Sequence, residues 1–375
     1  MGTPEHSPPL RIAIVAPSMH ILGGQAVQAD RLVRAWTGDP DIQAWLVPVN
    51  PIPSGTLRHG QRLKYVRTLV TQLAYWPSLL RELRRADVVH VFSASYWSFL
   101  LAPLPAVLVA RLLGKPVVMN YRSGEAPDHL RRSAVARAIL RHVDRNVVPS
   151  RFLKDVFAPY RIDAEVIPNI VDVDRFAFRV RDPLRPRMLS TRNFEALYNV
   201  ACTLRTFAAV RREFSQATLT LVGGGSAEPA LRALASDLGL REGVDVVFAG
   251  RVSPEDIWRY YADADIYLQT PDIDNMPASI LEAFASGCLV VSTDAGGVPA
   301  ILTDEVDGLL VTCGDHERAA AQIIRLLGNP PFARALASRA RQNCEHYRWK
   351  AVREQWLSLY RRTVEPHGVP AATTV

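Results

Sequence analysis

Two carboxylates, Asp274 and Glu282, bracket a helix start in the run Asp272-Ile273-Asp274-Asn275-Met276-Pro277-Ala278-Ser279-Ile280-Leu281-Glu282-Ala283-Phe284. Pro277 suits the first helical position, because the N–H it lacks is one that a helix leaves unpaired, and Asn275 can serve as the cap. The amides of Ala278, Ser279 and Ile280 would then face an anion, with the helix dipole behind them. A carboxylate pointing at the same place would repel a phosphate. A working role for Asp274 therefore requires it to turn toward neutral hydroxyls, and sugar hydroxyls meet that requirement. Glu282 sits deeper among Ile280, Leu281, Ala283 and Phe284, where it either faces solvent or accepts hydrogen bonds from a diol. Spacing alone leaves open an amphipathic helix with one solvated glutamate.

Asp272-Ile273-Asp274 has the literal Asp-x-Asp pattern of a cation site, but its place at a helix start before Glu282 fits the carboxylate pair better, and we read that match as chance. The nine histidines are dispersed, so no metal cluster is indicated. Glycines recur after strand patterns at Gly23-Gly24, Val222-Gly223-Gly224-Gly225 and Gly250-Arg251-Val252, but none has the three-glycine dinucleotide fingerprint with its later ribose acid. Hydride transfer is disfavoured.

The acidic segment is followed by the buried-strand pattern Gly287-Cys288-Leu289-Val290-Val291-Ser292-Thr293 and then by Gly296-Gly297-Val298-Pro299. Together these resemble the signature of the retaining family 4 glycosyltransferases, also called glycosyl transferases group 1, which have the two-domain GT-B fold. The resemblance runs over roughly residues 11 to 345 and is strongest over 215 to 311. It implies that Glu282 binds the ribose of a nucleoside diphosphate sugar. Asp274, standing where the family has a longer glutamate, would contact the transferred sugar together with Asn275, Met276, Pro277, Ala278 and Ser279. Arg192, after the strand Met188-Leu189-Ser190-Thr191, matches the arginine that grips the diphosphate, work suited to a bidentate guanidinium. Gly23 and Gly24 would lie against the donor phosphate and sugar, and Gly223, Gly250, Arg251 and Val252 would border the nucleotide and base.

Two positions depart from the family pattern. Leu197 and Tyr198 stand where a second phosphate-binding lysine is usual, and a tyrosine can offer only an uncharged hydrogen bond there. Arg122 stands in Asn120-Tyr121-Arg122-Ser123-Gly124-Glu125 where a histidine is common, so a neutral donor becomes a permanent cation. It either compensates for the missing lysine or signals lost activity. The resemblance implies a front-face displacement in which the departing phosphate assists deprotonation of the acceptor. The expected enzyme is a retaining, metal-independent glycosyltransferase that needs no cofactor beyond its UDP- or GDP-linked co-substrate. Arg192, Asp274 and Arg122 are its expected catalytic residues, and its acceptor is a glycan or lipid-linked hydroxyl in envelope polysaccharide or glycolipid assembly. The alternatives are a catalytically silent protein of the same fold that binds a sugar nucleotide or scaffolds a partner, and a sugar-nucleotide epimerase acting on donor alone.

The elements that must position these residues follow from pattern. Strands read at 11–16, 44–47, 88–92, 117–120, 145–148 and 164–167, and again at 187–190, 217–222, 244–249, 266–269, 289–292 and 308–311, with helical stretches between. Repeated strand–helix alternation predicts parallel sheets, and two such series predict two Rossmann-like, doubly wound α/β domains facing a cleft. We place the acceptor-side domain at 1–176 and the nucleotide-sugar domain at 187–345. The stretch 177–186 has linker composition, and a C-terminal helix in 346–364 would cross back to the first domain.

The chain has 375 residues, 48% hydrophobic and 22% charged, long enough for two ordinary domains. The start lacks a signal-peptide pattern and no apolar run is long enough to span a membrane, so a cytoplasmic location, peripheral at the inner membrane face, is expected. Four scattered cysteines indicate neither zinc nor disulfides. Residues 1–183 hold 24 Lys and Arg against 15 Asp and Glu, a surplus of nine, so the remainder carries −2 of the chain's net +7. Much of the surplus lies in 57–85 and 131–145, where Arg131, Arg132, Arg137, Arg141 and Arg145 interleave with apolar residues. Such basic amphipathic helices suit an anionic membrane surface. Nucleic acid is disfavoured because its recognition motifs are missing.

Overall fold

The computed structural model describes residues 8–20, 23–51 and 67–365. The basic positions within 57–66 and the tail 366–375 lie outside them. The chain divides into two compact units: residues 1–149, 154–167 and 353–375 form the first, and residues 150–153 and 168–352 the second.

In the first unit six parallel strands, β1 (Leu10–Ala16), β2 (Ile42–Pro48), β3 (Val88–Ser93), β4 (Val117–Tyr121), β5 (Arg145–Val148) and β6 (Glu165–Val166), run in the order β2-β1-β3-β4-β5-β6. β1 and β3 are near-continuous apolar runs buried on both faces, as a central parallel strand requires. The connecting helices are α1 (Gly24–Ala35), α2 (Arg67–Leu83), α3 (Tyr96–Leu101), α4 (Pro103–Leu112), α5 (Ala126–Arg132), α6 (Ala134–His142) and α7 (Arg151–Phe157), of which α7 belongs to this unit from Lys154 onward.

The second unit holds β7 (Arg187–Ser190), β8 (Thr218–Val222), β9 (Val246–Gly250), β10 (Ile266–Gln269), β11 (Leu289–Thr293) and β12 (Leu309–Val311), all parallel, in the order β12-β11-β10-β7-β8-β9. That is the doubly wound order of a dinucleotide-binding sheet, with its reversal between β7 and β10. Its helices are α8 (Val200–Glu213), α9 (Glu228–Asp237), α10 (Ile257–Asp263), α11 (Ala278–Ser286), α12 (His316–Gly328) and α13 (Pro330–Cys344). The residues of 177–186 are fastened to this unit. Arg179 and Arg185 each reach Asp265 at 2.7 Å and Arg181 approaches it at 3.5 Å, so one buried carboxylate gathers three arginines.

The last helix, α14 (Trp349–Val364), contributes its residues from Arg353 onward to the first unit. Tyr360 and Trp356 pack on the ring of His90 from β3, and Arg353 binds Asp39 at 2.7 Å and Asp41 at 2.6 Å. Among the described residues no helix is long and apolar enough to cross a membrane.

The stretch 131–145 is not one basic helix. Ser133 breaks it, its hydroxyl accepting from Ala136 N as the N-cap of α6. Most of its arginines serve the chain itself. Arg131 and Arg132 reach Asp128 at 2.5 and 2.9 Å, Arg137 donates to Leu130 O, and Arg141 donates to Tyr160 O.

Candidate active site

Ligands of open parallel sheets bind beyond the carboxyl ends of the strands, where the strand order reverses. In the second unit that place lies between the loops leaving β7 and β10. Those loops are tied together: Asp272 N donates to Leu197 O at 3.0 Å and Asn199 Nδ2 donates to Asp272 Oδ1 at 3.0 Å.

Arg192 from the first loop and Asp274 from the second form an ion pair, Nη2 to Oδ2 at 2.6 Å, with both side chains only 11% exposed. The guanidinium lies 4.0 Å from the ring centroid of Tyr198, and Nη1 donates to Ser279 Oγ at 3.4 Å. Its Nε is buried, without a hydrogen-bond partner among the described residues. Burial pushes the Asp274 carboxyl above its ordinary range, while the Arg192 charge and the Asn275 N–H, 2.9 Å away, act against that rise. Asp274 thus faces a cation, because Arg192 supplies the charge that a desolvated carboxylate requires.

Glu282 is not solvated. It is 8% exposed, and Oε2 accepts from Tyr261 OH at 3.2 Å. That phenol shares a hydrogen bond with Thr191 Oγ1 at 2.9 Å, and Thr191 in turn meets Tyr267 OH at 3.2 Å. Tyr267 OH and Ser279 Oγ both donate to Gln269 Oε1, at 3.1 and 3.2 Å. A buried hydroxyl network therefore connects Glu282 with the serine that Arg192 touches. Burial, with the Glu282 charge, raises the Tyr261 phenol well above its ordinary range, so Tyr261 stays a donor. Thr191, Tyr261, Tyr267 and Gln269 were not singled out in the sequence. The available signal was polar groups in the strand pattern Ile-Tyr-Leu-Gln of β10, which must find partners once buried.

The helix entrance differs in detail from expectation. α11 begins at Ala278 with Pro277 at the N-cap, and Asn275 Oδ1 instead accepts from Ser150 Oγ. Ile280 N donates to Pro277 O at 3.2 Å, so of the three amides expected to meet an anion, only those of Ala278 and Ser279 remain for an outside acceptor. Met276 O accepts from Asn169 Nδ2 at 2.7 Å, which fixes the approach to the helix.

Glycines wall this site because nothing larger fits. A Cβ on Gly297 would lie 2.0 Å from Asn275 O, one on Gly296 would lie 2.2 Å from Asp274 O, and one on Gly223 would lie 2.3 Å from Arg192 O. Gly223 N donates to Gly250 O at 2.9 Å, which joins the two loops expected at the base. Arg251 is exposed and packs over Gly224. Arg251 and Val252 also line, with Thr218 and Thr220 among others, a cavity of about 870 Å³ whose lining does not include the Arg192–Asp274 pair.

The remaining expected residues meet in the first unit, at the reversal between β1 and β3. Gly23 is the N-cap of α1, and Cβ atoms built on Gly23 and Gly24 would meet nothing within 4 Å among the described residues. Ser93 O accepts from Gln25 Nε2 at 3.1 Å and from Arg122 N at 3.2 Å, which brings the glycine turn and Arg122 to one sheet edge. Arg122 lies 5.1 Å over the ring of Phe92, and burial pushes its guanidinium down to about 9, still a cation at neutral pH. A cavity of about 800 Å³ opens at this edge, lined by Gln25, Asn50, Arg67, Gln72, Phe92 and Ser98 among others.

Residues 176–343 match the family described as glycosyl transferases group 1, and residues 22–175 match glycosyltransferase family 4. The sulfoquinovosyl transferase SQD2 of Arabidopsis thaliana is 24% identical over 77% of this chain, which spans only 59% of that relative's length. The GDP-mannose-dependent alpha-(1-6)-phosphatidylinositol monomannoside mannosyltransferase of Mycolicibacterium smegmatis is 28% identical over 82% of this chain and 84% of its own. Among solved structures, Anabaena HepE in complex with UDP-glucose superposes with a TM-score of 0.75 at 17% identity, covering 94% of this chain and all of that one.

Proposed function

Because the chain belongs to the group 1 glycosyl transferases, a family of GT-B fold, we propose that it transfers a sugar from a nucleoside diphosphate donor to an acceptor hydroxyl, with retention, in glycolipid or polysaccharide assembly. The observation that carries this is the buried Arg192–Asp274 pair beside Glu282 at the reversal of the second sheet. The relative that uses GDP-mannose and the neighbour crystallised with UDP-glucose support a GDP- or UDP-linked donor.

In this reading Glu282 accepts from the ribose diol, held ready by Tyr261. The donor's diphosphate competes with Asp274 for the guanidinium of Arg192. Arg192 then stabilises the charge that grows as the sugar–phosphate bond breaks. Once released, Asp274 accepts from hydroxyls of the transferring sugar, so donor binding would itself prepare the carboxylate. The amides of Ala278 and Ser279 assist, and Gly223 and Gly250 to Val252 border the base. The departing phosphate takes the acceptor proton.

Arg192 and the two amides meet the phosphate charge without a metal ion. Asp272 and Asp274 are engaged by different partners, Asn199 and Arg192, which suits them poorly to joint cation binding. The first unit would take the acceptor in its cavity beside Gly23, Gly24 and Arg122. The chain would work as a peripheral protein at the cytoplasmic membrane face, since the phosphatidylinositol-named relative points to lipid acceptors.

The test is incubation with UDP-glucose and GDP-mannose plus membrane lipid extract, followed by product analysis. Transfer with retained configuration supports the reading. Donor binding without any turnover would favour the silent alternative, for which the occupied Arg192 is the motivating observation.

A further inference from the structure

Three helices of the first unit present large apolar side chains to solvent. On α2, Leu69, Leu73 and Trp76 are 62, 58 and 40% exposed. Their i, i+4, i+7 spacing makes one outward stripe, while Val70, Tyr75, Leu79 and Leu83 of the same helix are buried. On α3, Trp97 and Leu101 are 76 and 37% exposed at i, i+4. On α4, Leu108 and Leu112 are 51 and 77% exposed at the same spacing.

These helices form one assembly. α4 packs against both α2 and α3, Gln72 Nε2 donates to Leu101 O at 2.9 Å, and Tyr75 OH donates to Ala102 O at 3.0 Å. An outward stripe so rich in leucine and tryptophan is far from the scattered exposed apolar residues that need no explanation. Its charge is one-sided. The three helices contain a single acid, Glu82, which Arg81 holds at 2.8 Å. Arg67 opens α2 and Arg84 continues its stripe just past its end, both exposed, while Arg111 of α4 is bound to Asp144 at 3.3 Å.

We propose that this face seats on a lipid bilayer containing anionic lipid. The leucines would enter the headgroup–acyl boundary, Trp76 and Trp97 would lie at headgroup level, and Arg67 and Arg84 would meet lipid phosphates. Tryptophan at the interface, an apolar stripe and a cationic, acid-poor rim are the combination that this environment selects. The face also adjoins the 800 Å³ cavity, which Arg67, Gln72, Ser98 and Leu101 line, so a polar headgroup lifted from the bilayer has a short way to travel. This replaces the 131–145 arginines as the contact, since most of those are bound within the chain. The lipid acceptor gives the docking its purpose, but the docking itself is tested without donor.

The experiment is co-sedimentation of the full chain with vesicles of phosphatidylcholine, and of phosphatidylcholine mixed with phosphatidylglycerol. Wild type, Leu73→Glu/Trp97→Glu and Arg131→Glu/Arg132→Glu are compared, each checked for an unchanged melting temperature. We expect wild type to bind the mixed vesicles more tightly than the neutral ones, the first variant to bind at least about tenfold more weakly, and the second to bind as wild type does. A blue shift of tryptophan emission on vesicle addition should accompany binding. No binding by wild type, or equal binding by the first variant, would overturn the proposal. So would a dimer in light scattering, without vesicles, that the same variant dissolves, because the face would then be covered by a second copy. Donor binding measured on the same samples separates this failure from failure of the proposed activity.

Discussion

Arg192 donates to Asp274 at 2.6 Å within the loops of β7 and β10, so the cation expected to grip a diphosphate is already compensated by the carboxylate expected to hold the sugar. Neutralising the carboxylate should free the arginine for an anion. Asp274→Asn is expected to bind UDP or GDP about tenfold more tightly, equivalent to about 1.4 kcal/mol, while sugar transfer falls. Calorimetric titration beside steady-state rates checks both halves. Weaker binding of the free nucleotide would show that the pair does not compete with phosphate.

The pair also has a structural consequence. Removing one partner of a buried ion pair leaves the other uncompensated, at a cost of about 3–5 kcal/mol, whereas replacing both with apolar groups is often near neutral. Arg192→Met should therefore lower stability by that order, and Arg192→Met/Asp274→Leu should recover most of it. Denaturant melts of the three proteins decide this. An equally unstable double variant would place the loss in the Tyr198 stacking contact instead.

Two glycine positions should respond in opposite ways. At Gly297 an added methyl would lie 2.0 Å from Asn275 O, and Gly297→Ala is expected to cost about 1–3 kcal/mol through forced backbone shifts. At Gly24 the methyl meets nothing within 4 Å among the described residues, and alanine is the better helix former by up to about 1 kcal/mol. Gly24→Ala should leave the melting temperature level or raised. Its transfer rate should nevertheless fall, because the methyl would occupy space the substrates need. Unaltered turnover would remove Gly24 from the site.

His90 makes the first unit acid-sensitive. Its Nδ1 meets Tyr360 OH at 2.7 Å and its Nε2 meets Asn120 Nδ2 at 3.1 Å, and burial, with the Arg122 charge, pushes the imidazole down to about 3. Below the unfolded value of about 6.5 the unfolded chain takes up a proton that the folded chain refuses. Stability is thus fully present above about pH 6.5 and declines as pH falls toward 3, by about 1.4 kcal/mol per pH unit from this group. Urea melts across this range should show the slope, and His90→Asn should flatten it by about that amount. An unchanged slope in the variant would assign the acid sensitivity elsewhere.

Much of the fold was legible because parallel sheets write themselves as apolar runs separated by helical periods. The strand patterns at 88–92, 145–148 and 187–190 fall on β3, β5 and β7, and the two series become two sheets. The helix expected within 131–145 was less legible. Amphipathic spacing does not reveal that Ser133 caps a second helix or that Asp128 and Tyr160 O claim the arginines. At the site, the residue types Arg192, Asp274 and Glu282 could be named from spacing and resemblance. Their mutual contacts could not, because the ion pair and the Tyr261 network join residues some 20 to 90 positions apart. The apolar face was hidden for a related reason, since α2 is apolar on both its inward and outward sides and only tertiary packing distinguishes them.

The central claim is that Glu282 holds the nucleoside of a diphosphate sugar, and titration calorimetry with UDP-glucose and GDP-mannose on wild type and Glu282→Gln tests it most directly. Wild type should bind one of the two, and the variant, still folded, should lose at least about tenfold in affinity, in keeping with the 1.5–3 kcal/mol of a hydrogen bond to a charged group. Equal affinity in wild type and a folded Glu282→Gln would contradict the assignment.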